Sequence, residues 1–316
     1  MKKPILKKGI NLGGWLSQCS YSEQHMESFI TEDDFRIISS WSTDHVRIPF
    51  DYNIVQDNNG SFVEKGFERL KKAVEICRRY NLGTVLDLHK TAGFSFDYYS
   101  ENESGFFDSA EYQERFFRLW EEMSRIFGGY SDTVAFELLN EVTDESFLAS
   151  WKKISAECIK RIRKLAPDIL ILVGSYNNNS ADTVQYLDAP ADENVIYNMH
   201  CYEPLKFTHQ GAYWTNAINP SERVEYEKSG CSAEYFEKLF SSATEKSRKY
   251  NSRLYCGEYG VIDRVSPEET LKWFIDINSV FNKYDIGRCA WNYKKMDFGI
   301  SDSRLDGVRN ELVKYL

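Results

Sequence analysis

The chain has no run of about eighteen apolar residues, so no membrane-spanning helix is expected. Its start, MKKPILKKGINLGGW, carries lysines but no apolar segment of the signal-peptide kind. A cytoplasmic protein, or a secreted one whose signal has been removed, fits that start. No C-x-x-C pair occurs. The seven cysteines, Cys19, Cys77, Cys158, Cys201, Cys231, Cys256 and Cys289, are scattered and odd in number, and several lie in apolar runs. They read as reduced, buried thiols and not as a disulfide framework. Histidine is scarce: His25, His45, His89, His200 and His209 form no H-E-x-x-H or H-x-H pair, so no metal is expected. G-x-S-x-G is absent, which argues against a serine hydrolase. Neither G-x-G-x-x-G nor a Walker motif follows an apolar run, and no cofactor is expected. An excess of basic residues is also missing. The net charge of −9 argues against nucleic acid as a partner and is no obstacle to a neutral ligand.

Aromatic residues are abundant, with 20 Tyr, 20 Phe and 7 Trp, enough for a large core and for flat platforms under a sugar ring. Short apolar runs recur along the chain, each followed by a long amphipathic stretch. The runs are Lys8–Leu12, Asp44–Pro49, Gly83–His89, Val134–Glu141, Ile169–Gly174, Val195–Tyr202, Arg253–Gly257 and Gly287–Trp291. They predict eight strands. Helices are expected over Phe67–Tyr80, Glu111–Phe127, Phe147–Leu165, Ala233–Tyr250, Pro267–Tyr284 and Asp306–Leu316, with weaker ones at Thr31–Ser40 and Ala181–Leu187. Ser266 is the candidate cap before Pro267. Strands alternating with helices make a parallel sheet, and eight units fit a closed (β/α)₈ barrel, also called a TIM barrel, in the α/β class. No linker divides residues 1–316, so one catalytic domain is expected. A monomer is the expected state. A long irregular segment at about residues 203–232 is the candidate binding loop or lid.

Catalytic residues of such barrels lie at the C-terminal ends of the strands. Those ends carry Arg47, His89, Asn140 with Glu141, His200 with Tyr202, Glu258 and Trp291. Alternation puts Asp87 and His89 on one face, and His200 and Tyr202 on one face. His45 shares the parity of Arg47 one layer deeper and reads as structural. Glu137 reads as a buried, paired carboxylate. Lys294, Lys295 and Asp297 suit either a ligand or a solvated loop.

Taken together, HVRIPF, LDLHK, FELLNEV, NMHCY, CGEYG and AWNY, opened by GINLGGW, resemble glycoside hydrolase family 5, the cellulase family of clan A. The resemblance runs from about Gly9 to Asn292. LYCGEYGVI and WNYKKMDF further resemble its clostridial-type endoglucanases. It implies a retaining glycosidase with Glu141 as general acid/base and Glu258 as nucleophile, on strands facing each other across the barrel. Retention needs the two carboxyl groups about 5–5.5 Å apart. The acid must hold a proton near neutral pH while the nucleophile stays ionised. Arg47 and Tyr202 would keep Glu258 charged, and Glu141 would lack such donors. Asn140 would bond the sugar 2-hydroxyl. His89 and His200 would orient carboxylates and hydroxyls, and Trp291 would stack under the sugar. Trp214 and Phe207 in the long loop are weaker candidates for outer platforms.

The substrate implied is a β-glucan or its oligosaccharides, degraded by an endo-β-glucanase on β-1,4 or mixed-linkage β-1,3-1,4 chains. Exo-β-1,3-glucanase, β-glucosidase and β-mannanase are the alternatives within the family. A non-catalytic carbohydrate-binding barrel is the alternative from another class.

Overall fold

A computed structural model describes residues 3–97 and 103–316. All eight expected strands form: β1 (Lys8–Asn11), β2 (His45–Asp51), β3 (Gly83–Lys90), β4 (Val134–Glu137), β5 (Leu170–Val173), β6 (Val195–Cys201), β7 (Leu254–Tyr259) and β8 (Gly287–Ala290). Every neighbouring pair is parallel, and β8 returns to β1 to close the barrel in chain order. Closure leaves no unpaired edge to protect.

Strand parity divides the side chains in two. One set points inward, where Leu6, Val85, Ala135, Leu170, Leu172, Ile196, Tyr255 and Cys289 pack a small inner core. Two residues further along the same strands, Asp87, Glu137 and Asn198 replace these apolar groups, and all three are buried. The apolar filling thus gives way to a polar layer toward the C-terminal mouth. The other set points outward and packs against the helices in one continuous core.

The helices are built as their spacing predicts. Helix Glu64–Arg79 buries Phe67, Leu70, Ala73, Val74 and Cys77 on one stripe and carries Arg78 and Arg79 in its last turn, where cations suit the helix dipole. Each such apolar side chain contributes about 1.5–3 kcal/mol by leaving water. Helix Pro267–Tyr284 starts after Ser266, whose hydroxyl accepts from the Glu269 amide at 3.3 Å. Three expectations need correction. The stretch Ala233–Tyr250 is two helices, Ala233–Leu239 and Ser241–Lys249, which meet at Phe240, whose side chain is fully buried. The final helix shrinks to Arg309–Leu312 plus a short 3₁₀ turn, and residues Ala181–Tyr186 are 3₁₀ throughout. All seven cysteines are free; Cys19 and Cys231 are half-exposed and the other five are buried. Among the described residues, no helix is long and apolar enough to cross a membrane.

The expected long loop is more ordered than its composition suggests. It contains two single-turn helices, Leu205–Thr208 and Tyr226–Ser229. Gln210 ties its two arms together: the amide nitrogen donates to Phe207 O and Val224 O, and the amide oxygen accepts from Val224 N. The Tyr226 amide donates to Glu269 on the neighbouring helix at 2.7 Å.

Candidate active site

The mouth is organised around Arg47. Its guanidinium, wholly buried, points up the barrel axis from β2 and reaches five side chains. It holds Glu137 through both Nε and Nη2, at 2.7 and 2.8 Å. Nη2 also donates to Asn140 Oδ1 at 2.7 Å and lies 3.0 Å from Asp87. Nη1 donates to Asn11 Oδ1 at 3.0 Å and to Glu258 Oε1 at 2.7 Å. A planar donor fork that never loses its charge suits this task, and lysine would not. Glu137 is completed by Asn198 at 2.9 Å, and is the buried, paired carboxylate its position suggested. His45 lies one layer lower, bonded to Asp44 and to the Tyr255 hydroxyl, which agrees with a structural role.

Glu258 reaches this cluster against simple strand parity. Cys256 and Tyr259 belong to the outer core, and alternation from Cys256 would turn Glu258 outward as well. The pairing slips instead: Met199 opposes Cys256, and His200 opposes Glu258, so Gly257 is the extra residue of a bulge. Gly257 is required there, because a Cβ would come within 2.9 Å of Asn198 and 3.0 Å of His200. The bulge presents Glu258 to the mouth, where Tyr202 donates to Oε2 at 2.8 Å.

Glu141 arrives differently. The β4 ladder ends at Glu137, and residues 138–142 continue as irregular chain. Glu141 Oε1 lies 2.7 Å from His200 Nδ1, and Oε2 accepts from Asn178 Nδ2 at 2.8 Å. The expectation that Glu141 lacks donors is therefore wrong. The loop after β5 and the histidine on β6 both reach it. The strands do not face each other either. β4 and β7 are three places apart in the ring of eight. One oxygen of Glu141, one of Glu258 and one nitrogen of His200 lie within 4.8 Å of one another. This is also the one group among the described residues with spacing suited to a metal ion, and its oxygens already accept from Arg47, Tyr202 and Asn178.

The charges sort themselves by surroundings. Burial pushes Asp87 up to about 8 despite Arg47, and raises Glu137 also. Burial works the same way on Glu258, but His200, Arg47, His89 and the Tyr202 hydrogen bond outweigh it, and Glu258 is held below the ordinary carboxylate range. Of the three carboxyl groups around Arg47, only Glu258 is shifted downward. His200 shifts the other way: burial opposes its charge, and the Glu258 anion and the Glu141 hydrogen bond raise it.

The remaining expected residues divide. Asn140 is buried, its oxygen is taken by Arg47, and its Nδ2 has no hydrogen-bond partner. That leaves a free donor in the mouth, suited to a ligand hydroxyl. His89 touches neither glutamate through a hydrogen bond. Its Nδ1 lies 2.6 Å from Asp87, burial pushes it down to about 4, and its ring lies parallel to Trp291 with centroids 5.8 Å apart. Trp291 lines the wall above Gly13, where a Cβ would come within 2.5 Å of the indole. Trp214 is half-buried against His209 and Phe298. Phe207 is fully buried and packs edge-on against Tyr226, so it is core and offers no platform. Lys294 pairs with Asp34, and Asp297 with Arg264.

Two contributors were not anticipated. Asn11 closes β1 and steadies Arg47. Asn178 belongs to the run Tyr176–Asn179 after β5, a strand end that supplied no candidate. Three consecutive asparagines a few residues after a strand were the available signal, since asparagine tolerates left-handed backbone.

The family described as Cellulase (glycosyl hydrolase family 5) matches residues 7–297. Cellodextrinase A of Ruminococcus flavefaciens is 60% identical over 288 residues, covering 91% of this chain and 85% of that protein. Endoglucanase C of Acetivibrio thermocellus is 36% identical over 337 residues, covering 98% and 97%. Among solved structures, a hyperthermophilic endo-beta-1,4-glucanase in complex with substrate superposes with a TM-score of 0.84 at 22% identity, covering 98% of this chain and 97% of that one.

Proposed function

The chain belongs to glycosyl hydrolase family 5, and from that membership we propose a retaining β-1,4-glucanase that cleaves cello-oligosaccharides and glucan chains through a covalent glycosyl-enzyme. One observation carries the retaining mechanism: an oxygen of Glu141 lies within 4.8 Å of one of Glu258, the short separation that leaves no room for a water between acid and base. Glu258, ionised by Arg47 and Tyr202, attacks the anomeric carbon. Glu141 protonates the departing oxygen and then deprotonates the water that releases the sugar. Asn140 Nδ2 donates to the sugar 2-hydroxyl, and Trp291 forms the apolar wall beside it.

The β-1,4 preference is supported by the likeness to Cellodextrinase A and Endoglucanase C. Incubation with defined cello-, laminari- and manno-oligosaccharides and mixed-linkage β-1,3-1,4 glucan tests it, with NMR of the first-formed anomer. Cello-oligosaccharides should be cleaved fastest and release the β-anomer first. Release of the α-anomer would refute retention, and faster cleavage of laminari- or manno-oligosaccharides would refute the substrate.

A further inference from the structure

The acid at the mouth lies beyond its strand, so something other than the sheet must hold it. Within residues 138–142, Leu138 N reaches Leu172 O at 3.3 Å and Asn140 N reaches Leu88 O at 3.0 Å. His200 and Arg47 reach the side chains of Glu141 and Asn140, and further support comes from one short turn after β5. The Asn178 amide donates to Val142 O at 3.0 Å. The Asn179 side chain donates to Asn140 O at 2.6 Å, and the Asn178 side chain donates to Glu141 Oε2 at 2.8 Å. Three successive residues, Asn140, Glu141 and Val142, are thus each gripped by the same turn.

The turn has an unusual backbone. Asn177, Asn178 and Asn179 have φ of 52°, 55° and 56°, left-handed at three positions in a row. Among residues with a side chain, asparagine adopts this region most readily. Gly174 below it leaves the room that Asn179 fills, since a Cβ there would come within 2.2 Å of the Asn179 side chain.

The last torsion of a glutamate is soft, so one hydrogen bond does not fix the plane of its carboxyl group. Here two do, from opposite sides: His200 on Oε1 and Asn178 on Oε2. We propose that Asn178 is the positioning residue of Glu141, held by the left-handed asparagine turn so that its amide sets the carboxyl plane toward the glycosidic oxygen. The proposal rests on the reading of Glu141 as the proton donor. Asn178 is itself solvent-exposed and acts through Glu141.

Asn178→Gly keeps the positive φ and deletes the amide. Asn178→Asp keeps the shape and the turn but replaces the donor with an acceptor. Both are assayed on cellotetraose and on an aryl cellobioside with an acidic phenol, and thermal unfolding is followed for each. A misplaced acid should matter when the leaving group is poor. For both variants, kcat on cellotetraose should fall about 10-fold with KM little changed, and kcat/KM on the aryl substrate, which reports glycosylation by a leaving group that needs no proton, should stay within about 2-fold. Full activity of Asn178→Asp would overturn the proposal, because the turn alone would then suffice. Equal losses of kcat/KM on the two substrates, or a change on cellotetraose confined to KM, would overturn it also. The parent reading is judged separately by Glu141→Ala. If that variant shows the leaving-group split and the Asn178 variants do not, only the role of Asn178 falls.

Discussion

Glu258 stands on buried charge, and Glu141 stands on neutral groups and a histidine at the rim. Beneath Glu258 lie Arg47, Glu137 and Asp87, all inaccessible to solvent and all projected from strands. Removing one partner from such a cluster would strand a buried charge, at a cost of about 3–5 kcal/mol. Around Glu141 lie Asn178 and His200, and the chain that carries it has left the sheet. The difference follows the two tasks. A group that must stay an anion needs a fixed cation in a dry site. A group that must give and take a proton needs partners that do not lock its charge.

The largest effect expected from breaking the contrast is at the charged side. Glu258→Ala should lower kcat by on the order of 10⁴-fold or more, because no other group can attack the anomeric carbon. Azide should enter the vacated space, restore turnover and give a product of inverted configuration, measured by NMR. Native activity without azide would remove Glu258 from the reaction. On the rim side the loss should depend on the substrate. Glu141→Ala should cost about 10²–10⁴-fold in kcat/KM on cello-oligosaccharides and little in kcat/KM on aryl glycosides whose leaving group needs no proton. Uniform loss on both would count against acid catalysis.

The smallest effect sharpens the electrostatic half of the comparison. Glu258 is held below its ordinary value of 4.5, so the acid side of the pH–rate profile should fall off below that pH. Tyr202 donates to the anion and so favours it. Tyr202→Phe removes a stabiliser of the charged form, and the acid limb should move upward. An unmoved limb would mean that Tyr202 only packs.

Legibility in the sequence follows the same division. Arg47 and His200 lie within strands, and Tyr202 and Trp291 each directly follow one. There, alternation and position at a strand end announce a residue that faces the mouth. Asn178 lies in a loop, where no period exists and only the asparagine run hints at the backbone. Phe207 shows the converse. An aromatic residue in a long loop looked like a platform, but Gln210 folds the loop back and Phe207 is buried beneath it.

The amino-acid order by itself determined the eight strands, most of the helices, and which polar residues close the strands, because these depend on a two- or four-residue repeat of apolar side chains. Tertiary structure alone decided the slip at Gly257 that turns Glu258 inward, and the asparagine turn that meets Glu141. A bulge is a choice of register between two strands, and a turn-to-loop contact joins segments 37 residues apart. Neither leaves a local period to be read, since each is selected by the partner it packs against.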